Sequence, residues 1–322
     1  MTPPPLVAPT NAGLVRWANE LLPVVGAPAA VVAAVVYGLP LHVAVAAFLM
    51  ALASGLGVTI GFHRLFTHRA FATTRPVEWA LMVLGCMAGQ AAPFWWIATH
   101  RDHHRHSDRP GDPHSPHLAG GSWWNRARGF WHAHMGWLSA EHVYDPRLVA
   151  DLVRRPDLAW IDRHWLEWYA LGLAVPAGVA YLIGGTPADA LLGFLWGGLM
   201  RHFVTQQATF AVNSVAHVWG SRPYPTPDLS RNNWLVGVLA MGEGWHNNHH
   251  AFPTSARHGF RWWQPDVSWY TIWALERVGL AWRVRRPGGK PGDGRPRASP
   301  SELPQEPQVV LPEEADVVDR VL

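Results

Sequence analysis

Apolar residues run without a charged side chain from residue 21 to residue 62. This run is too long for one membrane-spanning helix, which needs about 20 residues, and it has the length of two. The tripeptide Gly38-Leu39-Pro40 divides the run, because glycine and proline both interrupt helices. We therefore predict one spanning helix at about 21–37 and a second at about 41–62.

A second pair of apolar runs covers Trp165 to Ile183 and Ala188 to about Val212. The residues between them, 184–187, read Gly-Gly-Thr-Pro, which again predicts a turn between two antiparallel helices. These runs predict spans at 165–183 and 188–212. Arg201 lies inside the last run, where a charge is costly and normally has a partner or lines a polar cavity. A start of this span after Arg201 is the alternative.

The polar segments 63–164 and 213–284 are rich in Arg, Asp, His and Trp, which predicts a cap outside the membrane. Residues 63–164 together with residues 217 onward contain 24 of the 26 basic residues, all except Arg16 and Arg201. Neither short hairpin turn contains an arginine. Because basic residues favour the cytoplasmic side of a membrane, we expect the cap to be cytoplasmic.

Residues 77–97 are apolar enough to be considered as a further span. Gly85, Gly89 and Pro93 weaken a continuous helix, and a span here would put His63 and His100 on opposite sides of the bilayer. We therefore predict a buried or interfacial helix.

Both ends of the chain differ in composition from its centre. Residues 1–20 begin with a proline-rich stretch and lack the positive start of a secretory signal, so we expect a disordered lead-in. Residues 285–322 are rich in Pro, Gly, Arg and Glu, which predicts a disordered tail. The segment between them, 21–284, is predicted to be one membrane domain. Its Trp-rich stretch 261–282 is compatible with an amphipathic helix at the membrane surface.

Composition agrees with a membrane protein, since 49% of the residues are hydrophobic and 15% are charged. The only cysteine is Cys86, which excludes an internal disulfide and an iron–sulfur cluster held by four cysteines of this chain. Any electrons must then come from a separate donor. The net charge of +3 is not concentrated in a basic block, so nothing indicates nucleic acid. Lys290 is the only lysine, and this preference for arginine is typical of a GC-rich bacterial genome.

Histidines occur in clusters whose spacing fits metal binding. Two triplets have the spacing i, i+3, i+4, which places three imidazoles on one face of a helix. With a pair at the end of the second span and a histidine four residues after Asn213, the candidate ligands are His63, His68, His100, His103, His104, His217, His246, His249 and His250. Nine imidazoles exceed the needs of one ion, so we predict two metal ions, for which iron, zinc, copper and nickel are all suitable.

The other histidines show no such grouping and are predicted not to bind metal. They are His42, His106, His114, His117, His132, His134, His142, His164, His202 and His258.

The stretches His63–His68, His100–His104 and His246–His250, with Asn213–His217 before the last, resemble the histidine boxes of the integral-membrane acyl desaturases of the stearoyl-CoA desaturase type. The likeness covers about residues 40–260. It implies an all-α membrane protein of the bacterial inner membrane, with four transmembrane helices in two hairpins beneath a helical cytosolic cap. It further implies a site of two iron ions held by the nine histidines, Asn213 holding a metal-bound water, and O2 as co-substrate.

The resemblance also implies an acyl tunnel. Gln90, Trp96 and Thr209 match residues that grip the bend of the tunnel, and the small residues Ala51 and Gly55 lie on the helix that lines its closed end. At those two positions close helix packing is an equal alternative.

The resemblance leaves the acyl carrier undecided. Acyl-CoA members have an Arg-Lys pair after the Ser-His-Val-Gly-Trp motif, whereas here residues 133–137 are followed by Leu-Ser-Ala-Glu at 138–141. Cations that would meet the phosphates of coenzyme A are absent there, so an acyl-lipid or an acyl carrier protein is an alternative to acyl-CoA.

The resulting hypothesis is an O2-dependent desaturase that introduces a cis double bond, at the delta-9 position, into a saturated acyl chain. Two electrons come from a ferredoxin or a cytochrome with its reductase. Asp102 and Glu243 are the candidates for orienting the ligand histidines. A membrane di-iron hydroxylase or ketolase is the alternative, and a histidine-lined metal transporter is disfavoured because the histidines lie at the ends of the spans.

Overall fold

The computed structural model describes residues 21–139 and 144–287. The predicted lead-in at 1–20 and the tail from residue 288 onward lie outside these residues, as does His142. Within the described residues the chain is mostly helical, as predicted. The strands β1 (Ala72–Thr73) and β2 (Ala281–Trp282) pair in an antiparallel sheet. The helices are α1 (Leu22–Tyr37), α2 (Leu41–Thr67), α3 (Arg75–Met87), α4 (Pro93–His106), α5 (Trp123–His134), α6 (Ala150–Val153), α7 (Pro156–Arg163), α8 (Trp165–Gly184), α9 (187–213), α10 (Val215–Val218), α11 (Trp234–Leu239), α12 (His246–Ala251) and α13 (Val267–Arg277).

The long helices α1, α2, α8 and α9 are separated by the turns that the sequence predicts. Gly38 follows α1 with a φ of 76° and Gly185 follows α8 with a φ of 80°, a conformation that glycine adopts without strain. Thr186 and Asp189 then form a reciprocal capping box at the start of α9. The helix α2 continues five residues beyond its predicted end at Phe62, to Thr67.

Two of these helices are both long enough and apolar enough to cross a membrane. They are α2, with a mean hydropathy of 2.2, and α8, with a mean hydropathy of 1.4. The helix α1 is apolar but has 16 residues. The second half of α9, Arg201–Asn213, contains polar residues that reduce its hydropathy. The arrangement of four spans in two hairpins therefore stays a prediction.

The side chain of Arg201 connects three of the helices. It is buried, and its guanidinium donates to the carbonyl oxygens of Met87 at 2.8 Å, Gly172 at 3.1 Å and Gly197 at 3.1 Å. These acceptors belong to α3, α8 and α9 itself. A partner for this charge was expected, and the structure supplies backbone carbonyl dipoles.

Two stretches have the wider turns of a π-helix, Gly57–Thr67 in α2 and Gly193–Met200 in α9. Such turns are rare and occur frequently at functional sites. In α2 the stretch lies directly against α3, because a Cβ atom on Gly57 would collide with the backbone of Leu84 and Gly85. It also contains His63, so α3 supports the segment that presents this histidine.

Residues 77–97 do not form one helix. The helix α3 ends at Met87 and α4 begins at Pro93, and between them Gly89 and Ala91 have φ angles of 75° and 69°. The turn allows α4 to leave the direction of α3 and carry its histidines toward the end of α2.

The C-terminal part of the cap is held to the N-terminal part. The Trp-rich stretch 261–282 contains a shorter helix than predicted, α13, followed by β2. The backbone amide of Arg285 donates to the carbonyl of Ala70 at 2.8 Å, and its own carbonyl accepts from Ala256 at 2.9 Å. The packed chain therefore extends at least to Arg285, one residue beyond the boundary predicted at 284.

Candidate metal centre

Four helices, and the residue that follows one of them, bring the nine predicted histidines together. The end of α2 contributes His63, and His68 follows it directly. The triplet that begins at His100 lies on α4, and the triplet that begins at His246 lies on α12, so both triplets are helical as their spacing predicted. The helix α10 contributes His217.

The nine side chains form two groups. In each group the nitrogen atoms lie within 4.8 Å of one another. The first group contains His63, His68, His100, His104 and His249, and the second contains His103, His217, His246 and His250. The nine predicted ligands are all present in these groups. The histidines of one helix do not all belong to the same group, so α4 and α12 each contribute to both groups.

The distances between imidazole nitrogens fit metal coordination. His249 Nε2 lies 3.1 Å from His63 Nε2 and 3.0 Å from His104 Nε2, and His246 Nε2 lies 3.1 Å from the Nε2 atoms of His217 and His250. An ion bound to imidazole nitrogens at about 2.1 Å separates them by about 3.0 Å at 90° and by about 3.4 Å in a tetrahedron. The observed distances of 3.0–3.1 Å are short enough for these nitrogens to share one ion.

Carboxylates lie beside the Nδ1 atoms of four histidines. The pairs, measured from the histidine Nδ1, are His63 with Glu243 at 2.7 Å, His217 with Asp108 at 2.8 Å, His103 with Asp112 at 2.9 Å and His250 with Asp228 at 3.0 Å. In His103, His217 and His250 the Nδ1–H donates to the carboxylate, so each Nε2 of a neutral ring keeps a lone pair for a metal. Lone pairs about 3 Å apart would repel one another without a cation between them, so the donor set fits two metal ions.

Charges around the site agree with this assignment. Burial and neighbouring imidazoles lower the pKa of His100, His104 and His249 well below the usual value, which keeps these rings neutral and able to bind metal. Burial would raise the pKa of Glu243, but Arg64 and His63 outweigh it and hold that pKa well below its usual range. Arg64 is itself fully buried, 3.0 Å from Glu243 and 2.9 Å from Asp266.

Of the two carboxylates predicted to orient histidines, Glu243 lies beside His63 as expected. Asp102 instead lies 3.2 Å from His106, a predicted non-ligand one turn further along α4. The sequence interpretation missed Asp108, Asp112 and Asp228. The first two follow the α4 triplet within ten residues, which is the signal that would have found them. Asp228 follows His217 by eleven residues but lies beside His250 of the other triplet, a pairing that the sequence does not indicate.

Two histidines that were predicted not to bind metal also lie beside the groups. His258 Nδ1 is 3.2 Å from Glu243, and His114 Nδ1 is 3.9 Å from Asp112. Both are buried, and neither belongs to the two large groups. Within the described part of the chain the other predicted non-ligands also lie outside those groups: His42, His106, His117, His132, His134, His164 and His202.

An apolar cavity of about 250 Å³ reaches the histidines from the side of the long helices. Of the predicted tunnel residues, Ala51, Gly55, Trp96 and Thr209 line this cavity, whereas Gln90 is not among its lining residues. Gln90 is buried in the turn between α3 and α4. The polar end of the cavity consists of His63, His100, Asn213, Glu243 and His246. Asn213 thus lines the same cavity as histidines of both groups.

The chain was compared with known proteins. Residues 38–285 match the family model described as fatty acid desaturase. An sn-1 stearoyl-lipid 9-desaturase of Anabaena variabilis is 40% identical over 247 residues, which is 76% of this chain and 84% of the relative.

Two further relatives act on other carriers, by their names. A hex-5-enoyl acyl-carrier protein acetylenase of Moorena producens (strain JHB) is 42% identical over 74% of this chain and 75% of its own. An acyl-CoA C20 Delta5-desaturase of Anemone leveillei is 38% identical over 74% of this chain and 72% of its own. These relatives share a family and differ in the acyl carrier, the position attacked and, for the acetylenase, the product.

Proposed function

The chain belongs to the fatty acid desaturase family, and we propose that it introduces a cis double bond at the delta-9 position of a saturated acyl chain, using two iron ions held by its nine clustered histidines. The supporting observation is the position of the two histidine groups at the polar end of an apolar cavity. As an acyl-lipid or acyl-CoA desaturase it is an oxidoreductase.

Each histidine group holds one ion in this proposal, and Asn213 contributes through a water to the second group. When bound, the iron pair supplies the oxidant that an unactivated methylene pair requires, made from O2 and two electrons. The overall reaction converts CH2–CH2, O2, two electrons and two protons into CH=CH and two water molecules. The protein's own task is to hold the ligands and to place one pair of carbons beside them.

Positioning of the acyl chain follows from the lining of the cavity. Apolar side chains such as Val58, Val204 and Val212 exclude water along the alkyl chain. The ring of Trp96 stacks on His100, with 5.1 Å between centroids and 20° between planes, so this wall of the cavity is fixed relative to a metal ligand. The carbon pair that reacts is the one that the cavity holds beside the histidine groups, because reacting atoms must be held close together. Its position in the acyl chain therefore depends on how far the chain extends along the cavity.

The membrane arrangement is part of the proposal. In it α1, α2, α8 and α9 cross the bacterial inner membrane as two hairpins, and the cap lies in the cytoplasm. The uneven distribution of arginine supports the cytoplasmic side. Hydrophobic side chains such as Val35, Leu41 and Leu182 are more than three-quarters exposed, which agrees with contact with lipid.

The electron donor is a separate protein in this proposal, a ferredoxin or a cytochrome with its reductase. The chain's one cysteine, Cys86, is buried, so no cluster held by four cysteines of this chain delivers the electrons. For the carrier, the absence of an Arg-Lys pair after Trp137 favours an acyl-lipid or an acyl carrier protein over acyl-CoA.

Product analysis tests this function. The protein is expressed with a compatible electron donor in a host that cannot make unsaturated fatty acids, and double bonds are located by mass spectrometry. We expect cis-9 monounsaturated chains and growth without added oleate. Hydroxylated or oxidised chains as the main product would assign the protein to the hydroxylase or ketolase chemistry instead.

A further inference from the structure

The side chain of Met241 lies in the wall of the cavity. This residue follows α11 and precedes Glu243 by two positions, and it lines the cavity together with Gly55. Its φ of 55° is in the left-handed region, which is uncommon for a residue with a side chain. Such a conformation persists where the surroundings stabilise it.

Ser268 of α13 holds this backbone by hydrogen bonds and is itself in contact with α2. The carbonyl of Met241 accepts from the Ser268 amide at 3.1 Å and from the Ser268 hydroxyl at 3.0 Å. The same hydroxyl lies 2.7 Å from Thr59 Oγ1, and Thr59 also lines the cavity. The position of Met241 is therefore fixed relative to α2, while its unbranched side chain remains adaptable.

Met241 occupies the space that Gly55 leaves free. A Cβ atom at Gly55 would lie 2.6 Å from Met241 Cε and 3.1 Å from Met241 Sδ. Gly55 precedes His63 by eight residues, about two helical turns. The two residues thus narrow the cavity between its histidine end and its far end, where Ala51 and Phe48 lie.

We propose that Met241 determines chain-length specificity, by filling the cavity opposite Gly55 and limiting how far the methyl end of the substrate extends beyond the metal centre. This inference rests on the proposed function and refers to the same cavity. It predicts that Gly55 and Met241 act as a pair, because each determines the room available to the other.

A set of variants tests the pair: Met241→Ala, Gly55→Ala and the double variant, in a host supplied with saturated chains of different lengths. Met241→Ala should raise the ratio of long to short desaturated products by about tenfold or more, because it removes the side chain beyond Cβ and a single methylene in an apolar pocket already gives about tenfold discrimination. Gly55→Ala should lower the ratio, because the new methyl pushes Met241 into the cavity. The double variant should return toward the wild-type ratio.

Met200→Ala is the matched control. Met200 is partly buried on α9 and is not among the residues that line the cavity, so the same truncation there should leave the ratio unchanged. An unchanged ratio in active Met241→Ala protein overturns the proposal. So does a double variant that keeps the full Gly55→Ala effect, since Gly55 would then act without Met241.

A binding measurement separates this inference from the proposed function. Because the only cysteine, Cys86, is buried, a Met241→Cys variant carries one reactive thiol in the cavity. Long saturated phospholipid chains should slow its reaction with maleimide about tenfold more than short ones, with or without iron. Trp262→Cys, at a position 89% exposed, should react equally in both. If long and short chains protect the thiol from maleimide equally, the proposed role of Met241 is contradicted. If long chains protect it selectively but the protein has no desaturase activity, only the proposed function is contradicted.

Discussion

Four carboxylates contact histidines of the candidate metal centre and orient their rings. Asp108, Asp112, Asp228 and Glu243 each lie within 3.0 Å of the Nδ1 atom of one histidine of the two groups. Burial would raise the pKa of Asp112 and Asp228, but His103 and His250 outweigh it and hold both pKa values well below the usual range. The carboxylates therefore stay ionised and partly balance the charge of bound cations.

Asp228→Ala should weaken metal binding by removing the acceptor of His250 Nδ1–H. Loss of such a partner typically costs about 10- to 100-fold in metal affinity or activity. Iron retention against a chelator measures the effect. Asp228→Asn should lose less, because an amide oxygen still accepts the hydrogen bond, and Asp145→Ala should match wild type because Asp145 pairs with Arg147 away from the histidine groups. Equal retention in Asp228→Ala and wild type would show that His250 needs no partner.

Six of the nine histidines were predicted from triplets, because an i, i+3, i+4 triplet shares one helical face whatever the tertiary structure. His63 and His68 were predicted from their position at the end of the second span, and His217 from its spacing to Asn213. The residues that were missed come from turns and loops. Asp228 and His258 meet the centre only after segments without regular secondary structure fold back on α12, and no local periodicity predicts that. Asp102 was preferred because it lies inside a histidine triplet, yet its side chain meets His106 on its own helix.

The pair His63 and His68 depends on the π-helical end of α2. The amide of His68 donates to the carbonyl of His63 at 3.1 Å, the i→i+5 bond of a π-helix. The wider turn brings the two rings to 4.8 Å between centroids. In an α-helix residues five apart point in different directions, so the sequence indicated a metal pair without indicating the backbone that makes it.

The helix α4 is held at its N-terminus by α7. Asp162 Oδ1 accepts from the amide of Phe94 at 2.7 Å, which satisfies one of the free N–H groups at a helix start. Burial nevertheless raises the pKa of Asp162 to about 6. Because α4 carries three of the nine histidines, this contact contributes to their position.

The raised pKa predicts a pH dependence of stability. Between about pH 4, the pKa of an unfolded Asp, and pH 6, the folded state binds more protons at Asp162 than the unfolded state does. The contribution of Asp162 is therefore greatest below pH 4 and decreases by up to about 3 kcal/mol as the pH rises through 6. Thermal unfolding over this pH range measures the effect. In Asp162→Asn the stability should decrease less between pH 4 and pH 6 than in wild type.

Asp157→Asn is the comparison for that experiment. Arg155 lowers the pKa of Asp157, so this residue has nearly completed its titration above pH 4 and the wild-type decline should remain. If Asp162→Asn and wild type lose stability in parallel between pH 4 and pH 6, the buried carboxyl does not titrate there.

At the scale of the whole molecule, the four long helices and the turns within their two hairpins were predictable, since apolar runs and Gly/Pro turns are local features. The bounds of α1, α2, α8 and α9 differ from the predicted spans by one to five residues. The pattern could not predict the packing, in which Arg201 of α9 donates hydrogen bonds to backbone carbonyls of α3 and α8. That contact depends on where three separate segments meet.

The four-span arrangement predicts the side on which each turn lies. With Cys86 buried, single cysteines can be introduced at Leu39 and Pro187 in the two hairpin turns and at Trp262 in the cap. A membrane-impermeant maleimide should label the two turn positions on the periplasmic side. It should label the cap position only after the inner membrane is opened. Labelling of Trp262→Cys from the periplasmic side would reverse the orientation.

Metal content tests the two-ion centre most directly. Purified protein should contain two iron ions per chain, and His249→Ala from the first group and His103→Ala from the second should each contain less while still inserting into the membrane. His132→Ala should retain both ions, because His132 bonds to the Pro113 carbonyl and lies outside the groups. Two results would contradict the assignment of these nine histidines. One is a wild-type protein that holds one ion or none after loading with iron under reducing conditions. The other is full iron content in both ligand variants.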